Sequence, residues 1–360
     1  MEMISFKRGQ VAEIVESNEK IYWLKVNIEG EIQNAVNYVE LTGRPKLGDE
    51  LVLNTTAVEL NLGTGGQHFV IANESIQSQD LSGSGHIMKL RYTPMQLKCM
   101  ACEEEDSPHY ETVKNFKSLE GSLFIIGTLH SMLAPIASHI KCKSPETKIN
   151  YIMTDGGALP IDFSKTVTDL KAKGIVDNTI TSGQAFGGDY ETVNIYTALV
   201  VAKEVLKSDV TIVAMGPGIA GTGTKYGFSG IEQGYISDAV KSLGGRSISV
   251  PRLSFADKRI RHRGISHHSL TIFGEIMNKP TELVFPKLGQ EEDSFIKSQI
   301  EQSGLGTLHS ICFEDGSDLK ESLDSYNLRI KTMGRGYDED RAFFETLGAV
   351  ANYAVKLGGE

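Results

Sequence analysis

Cysteine is scarce. Four in 360 residues cannot staple a chain this long, which excludes the disulfide-rich secreted class and fits a reducing compartment. Long apolar runs are missing too: the most apolar helical stretch, 198–206, is short and carries Lys203 and Glu204, well below the roughly 20 residues needed to cross a bilayer. Residues 1–10 have no apolar core behind Lys7 and Arg8, so a secretory signal is not expected. Positive charge is in deficit, 36 Lys and Arg against 46 Asp and Glu for a net −10. That balance argues against nucleic acid or anionic membrane as a partner, since both are held mainly by cations that neutralise phosphates. A cytoplasmic protein is expected, and any anion site in it must be local.

What is present points to two packed units, because the chain exceeds a typical single domain. Strand-like runs at 11–15, 22–28, 32–39, 50–54, 57–62 and 68–72 follow one another without helices, separated by turn signals such as Gly63-Thr64-Gly65-Gly66. This predicts a small all-β, barrel-like module over 1–77. A Gly- and Ser-rich stretch then opens a linker over 78–96. Cys99 and Cys102 form a CxxC in an expected strand, where the odd spacing turns the sulfurs to opposite faces. With no second pair to complete a zinc site, they read as structural thiols.

From 97 to 360 apolar runs alternate with helical segments. Strands are expected at 123–126, 149–153, 178–181, 210–214, 247–250, 282–285, 310–313 and 328–332, with helices between them, including 191–206, 269–277 and 341–356. Strands apolar throughout are buried on both faces, and crossovers of this length join parallel neighbours. The fold class is therefore α/β, a Rossmann-like, doubly wound, mostly parallel sheet preceded by the β module.

Ligands bind such sheets beyond the carboxyl ends of the strands, so the residues just after each strand carry the functional signal. They are polar and glycine-rich: Asp155-Gly156-Gly157, Gly187-Gly188-Asp189, Gly216-Pro217-Gly218, Arg252 and Gly334-Arg335-Gly336. The loop 215–230 exceeds the usual connection length and holds Gly216, Gly218, Gly221, Gly223 and Lys225. Its Gly216–Gly221 spacing matches a dinucleotide fingerprint, yet no helix is expected to open there and no acidic ribose ligand follows. Backbone N–H groups cradling an anion and a loop that merely covers the sheet edge both fit it.

The densest cationic stretch contains Arg252, Arg261 and Arg263, followed by Ser266-His267-His268-Ser269. It suits phosphate or carboxylate, and a solvated helix face or a contact between copies of the chain fits as well. Adjacent His267 and His268 are separated by about 100 degrees on a helix, so only one of them is expected as a ligand or general acid/base. His262 converges with His267 if Gly264 makes a turn. Asp155, beside glycines after a strand, is a candidate metal ligand or base, whereas Asp189 ahead of Glu191 fits a helix N-cap.

Three segments, Thr154-Asp155-Gly156-Gly157-Ala158-Leu159-Pro160, Ser182-Gly183-Gln184-Ala185-Phe186-Gly187-Gly188-Asp189 and His262-Arg263-Gly264-Ile265-Ser266-His267-His268, together resemble the bacterial domain-of-unknown-function family 3866. The likeness runs over nearly the whole chain. It implies a bacterial, cytoplasmic origin and brings no substrate with it.

The residues themselves point to a metal-assisted hydrolase or transferase acting on a phosphorylated or nucleotide-like small molecule. In that reading Asp155, His267, His268 and Lys225 are catalytic, and a divalent ion sits on Asp155, His262 and His267. Gly156, Gly157, Gly187, Gly188, Asp189, Gly216, Gly218, Gly221, Gly223, Arg252, Arg261, Arg263 and Arg335 then line the anionic ligand. A non-catalytic ligand sensor and an NAD(P)-dependent oxidoreductase are the alternatives, and self-association is left open.

Overall fold

The computed structural model describes residues 3–63 and 65–358, and the chain packs as two units, Met1–Cys99 and Met100–Glu360. In the first, β1 (Phe6–Ser17), β2 (Ile21–Ile28), β3 (Glu31–Tyr38), β4 (Glu50–Asn54) and β5 (Gln67–Asn73) close a barrel in the order β1-β2-β3-β5-β4. Alternating inward residues fill it, among them Val11, Leu24, Val26, Ile28, Leu51, Leu53 and Val70, as closure with period-2 side chains demands. Register shifts after Val11 and Ile14 bend β1 so that one long strand pairs with both β2 and β4.

Short helices α1 (Val39–Thr42) and α2 (Thr56–Glu59) interrupt the strands. The sixth strand expected at 57–62 is replaced by α2 and the turn that follows. Asn54 accepts the Thr56 N–H at 3.1 Å and Thr55 bonds Glu59 one turn on at 2.7 Å, a local network that favours helix over ladder. The apolar residues there, Leu60 and Leu62, stay exposed. Thr64 lies outside the described residues. Within the stretch expected as linker, β6 (Ile87–Lys89) pairs antiparallel with β7 (Leu97–Cys99), which follows directly after that stretch. Cys102 lies beyond that strand, buried, and none of the four cysteines is in a disulfide.

The second unit is built on β8 (Leu123–Ile126), β9 (Ile149–Thr154), β10 (Asn178–Thr181), β11 (Tyr190–Glu191), β12 (Val210–Met215), β13 (Arg246–Ser249), β16 (Glu282–Pro286) and β17 (Ser310–Glu314), with a two-stranded ribbon of β14 (Leu253–Ser254) and β15 (Gly264–Ile265) beside them. The eight strands run parallel in the order β11-β10-β9-β12-β8-β13-β16-β17. Every residue of β8, β9 and β12 is buried. Alternate residues of those strands enter two separate cores. Leu123, Ile125, Tyr151 and Ile212 pack with α4 (Leu133–Lys143), α5 (Lys165–Ala172), α10 (Leu319–Ser325) and α11 (Arg341–Gly358). On the other face, Phe124, Ile126, Ile152 and Val213 pack with α3 (Tyr110–Lys114), α6 (Ile195–Val200) and α7 (Glu232–Ser242). Farther along, α8 (His267–Thr271) and α9 (Gln290–Ser303) lead into and out of β16.

Because α4 and α5 carry the chain one way across the sheet and α7 carries it back on the opposite face, the loops after β9, β12, β8 and β13 part to alternate sides. Their divergence opens a crevice at the carboxyl edge. No helix among the described residues is long and apolar enough to cross a membrane.

Two expected elements of this second unit differ as well. The helix predicted from 191 begins at Ile195, since Tyr190–Glu191 adds an edge strand and Asn194, not Asp189, is the cap, accepting from Tyr196 and Thr197 N–H. Asn194→Ala should cost about 1 kcal/mol of stability in urea unfolding and Asn194→Gly only a few tenths. The strand predicted at 328–332 is irregular chain closed by a bridge between Thr332 and Arg335, so Arg335 does not follow a strand.

Candidate functional site

β13 delivers Arg252 to the carboxyl edge, and two hydrogen bonds fix it there: its N–H donates to Ser269 Oγ at 2.9 Å and its carbonyl accepts the Ser266 N–H at 2.8 Å. The ribbon of β14 and β15 then folds residues 255–263 back over this point. Gly264, at φ +67°, makes the reversal, and Ser266 caps α8 by accepting the His268 N–H. As a result His262, ending one short turn, meets His267 and His268, which begin the next helix. Ring centroids are 4.8 Å apart for His262 and His267, 5.3 Å for His262 and His268, and 4.0 Å for His267 and His268. Each ring offers one nitrogen within 4.8 Å of the others.

The expectation that His267 and His268 point apart is thus corrected. The 100-degree step fixes only the Cα–Cβ directions, and two side-chain torsions per residue can bring the rings back together. Phe228, from the glycine-rich loop, holds the His268 ring by stacking at 4.0 Å and 14°.

Burial disfavours the charged form of all three imidazoles. Burial, followed by the charges of Arg252 and Arg259, pushes His262 down to about 4. Burial and its two histidine neighbours push His268 to about 3, and burial with Arg261 lowers His267.

The cations around them are unevenly matched. Asp257 is engaged by Arg259 at 2.8 Å, which holds its carboxyl below the usual range. Asp340, almost fully buried, accepts the Ser254 hydroxyl and Arg335. Arg252, only 9 % exposed, is 3.9 Å from Asp257, the nearest carboxylate among the described residues. Burial therefore dominates over its partners and lowers its pKa.

The remaining predicted residues are dispersed. Arg261 is exposed and contributes its charge to the histidines. Arg263 lies 6.0 Å over the Phe295 ring of α9, and Lys225 pairs with Glu275 at 2.7 Å, which leaves neither aimed at Arg252. The loop 216–230 folds on itself, with Gly221 bridged to Phe228 and the Thr222 N–H donating to the Gly227 carbonyl, and Gly223 sits at its turn. Since a helix begins only at Ser229, the dinucleotide fingerprint lacks the helix that would face a pyrophosphate. Gly218 lines a cleft of about 310 Å³ with His130, Arg329 and Lys331, while Gly216 packs against the Ala158 carbonyl.

Gly187, Gly188 and Asp189 form the tight connection from β10 to β11. Gly187 N–H donates to Glu191 at 2.7 Å, and Asp189 accepts from Thr179 and Lys171. Those are the contacts of a structural turn.

Asp155 also leaves the predicted metal set. β12 and β8 separate β9 from β13, and three steps of about 4.8 Å put Asp155 roughly 14 Å along the edge from Arg252. Its carboxylate accepts the Gln184 N–H at 2.9 Å, beside Gly156 and Gly157. Its acidic neighbour there is Glu232, which sequence reasoning missed, because a glutamate in a helix's first turn looks like an ordinary surface residue. Here it is 4 % exposed and accepts the Thr154 hydroxyl.

Burial pushes the Glu232 carboxyl from its ordinary 4.5 up to about 7, against the Thr154 hydrogen bond and with help from Asp155. The folded chain holds this proton more tightly than the unfolded one. The contribution of Glu232 to stability is therefore fully present below pH 4.5 and is lost toward pH 7 by at most about 1.4 kcal/mol per unit. The buried histidines, whose lowered pKa values raise stability with pH over this range, act in the opposite sense. The readout is therefore the difference in urea midpoint between wild type and Glu232→Gln from pH 4.5 to 8, which should shift against the wild type as pH rises.

Residues 34–351 match the family described as "Protein of unknown function (DUF3866)". No curated protein matches. A solved structure titled "FPGS-AMPPCP complex" aligns at 12% identity and a TM-score of 0.29, over 69% of this chain and 61% of that one. The chain therefore spans about three fifths of the length of that solved protein.

Proposed function

Because the chain belongs to that family, whose description assigns no chemistry, its activity has to come from the site, and we propose that it binds a phosphorylated or nucleotide-like small molecule at Arg252 and hydrolyses or transfers its phosphoryl group. One observation carries this reading: a buried guanidinium with no carboxylate nearer than 3.9 Å. Taking an arginine out of water without a close counter-ion is costly. An arriving oxyanion removes that cost and takes two parallel N–H donors at once. Arg261 adds charge around the same point, and three imidazoles whose charged forms burial disfavours stand beside it, donors suited to an ion that activates water.

The test is a thermal-shift series with inorganic phosphate and with nucleoside mono-, di- and triphosphates, followed by measurement of phosphate release. A ligand at a hundred times its Kd adds about 2.7 kcal/mol to the stability of the folded state, so a clear rise in Tm is expected. Stabilisation with no turnover of any candidate would make the protein a ligand sensor. A series in which no phosphorylated compound raises Tm would end the proposal.

A further inference from the structure

We infer that His262, His267 and His268 form a site for one divalent transition-metal ion of the zinc class, leaving a fourth position for water or for the ligand's oxyanion. Three observations meet here. The three nitrogens already lie within 4.8 Å of one another. Tetrahedral bonds of about 2.0–2.1 Å place ligand nitrogens some 3.4 Å apart, a closure that modest ring rotations supply.

Next, His267 Nε2 is buried with no hydrogen-bond partner. An orphaned polar atom of this kind costs about 1–3 kcal/mol, and an ion would engage it. Finally, His262 Nδ1 lies 2.8 Å from Ser266 Oγ, the same oxygen that accepts the His268 N–H at the helix cap. With Nδ1–H donated to that hydroxyl, His262 keeps its Nε2 lone pair for a metal, in the arrangement by which a second partner orients a ligating imidazole.

An all-imidazole set selects zinc, copper, nickel or iron over magnesium and calcium, which prefer oxygen. The charges nearby add a further requirement. Arg252, Arg259 and Arg261 all act on these rings, so a bare dication meets repulsion, and an oxyanion arriving with it restores balance. Metal and phosphate should therefore strengthen each other's binding.

The full chain, stripped with a chelator and desalted, is titrated with Zn(II), with retained metal measured by elemental analysis. Co(II) in parallel reports geometry through its visible absorption. One equivalent per chain is expected, with tetrahedral cobalt bands, unchanged in Asp155→Asn and weakened at least tenfold in His267→Ala and His268→Ala. Failure of the wild-type chain to retain an equivalent overturns the inference however the variants fold, and so does full retention by both histidine variants.

The titration is repeated with inorganic phosphate present, where an affinity at least tenfold higher is expected. Stoichiometric metal with no response to phosphate leaves the metal site standing and removes the anion reading at Arg252. A phosphate response without metal uptake does the reverse.

Discussion

Arg252→Met should weaken phosphate binding by at least a hundredfold while leaving the unliganded protein as stable as before or slightly more so. Methionine keeps most of the buried stem and removes only the guanidinium, so little cavity is created. In the unliganded protein that guanidinium is largely buried and only loosely paired, 3.9 Å from its nearest carboxylate, and removing a poorly compensated buried charge costs the folded state little or relieves it. In the complex the same group would make charge-assisted hydrogen bonds away from water, where losing one partner costs about 2–5 kcal/mol.

The two effects therefore carry opposite signs, as expected where a protein sacrifices stability for function. Arg252→Lys should recover only part of the affinity, since an ammonium cannot present two parallel donors. Isothermal titration with phosphate and urea unfolding of the same preparations measure both sides. A variant that unfolds more easily yet binds phosphate as well as the wild type would assign Arg252 to pairing with Asp257 alone.

The contrast between Arg252 and the residues around it marks what could be read in advance. The sheet was legible because β8, β9 and β12 are apolar at nearly every position, a pattern that only strands covered on both faces sustain. Short mixed runs were not, since 57–62 and 328–332 mix apolar with charged or polar residues, as a half-buried strand does, yet have no ladder to join. Strand order is equally silent in one dimension. Asp155 and Arg252 both follow strands and both reach the carboxyl edge, yet nothing in the sequence places β12 and β8 between them.

Convergence of His262 with His267 could be argued from Gly264. The addition of His268 could not, because it depends on ring torsions and on Phe228, some 40 positions earlier in the chain. Glu232 was hidden for a similar reason. Its burial arises where α7 meets the end of β9, through Thr154, a contact no local pattern encodes.

Gly264 should be the least replaceable backbone position of the histidine cluster, and a matched control separates the reasons. Gly264 and Gly304 share a φ of +67°, a region in which a side chain costs about 1–2 kcal/mol. Around Gly304, which ends α9, a Cβ would meet nothing within 4 Å. At Gly264 it would fall 2.7 Å from Phe295 and collide with Gln299, and Gln299 accepts the Ile265 N–H at 2.8 Å.

Gly304→Ala should therefore cost only the backbone term, about 1 kcal/mol. Gly264→Ala adds the overlap and should cost about 3–4 kcal/mol, both read from urea midpoints. The larger loss must be relieved by moving either α9 or the ribbon of β14 and β15. The ribbon carries His262, so its displacement would part His262 from His267. Gly264→Ala should then bind Zn(II) far more weakly than Gly304→Ala, and equal metal affinity in the two would mean that α9 had yielded instead.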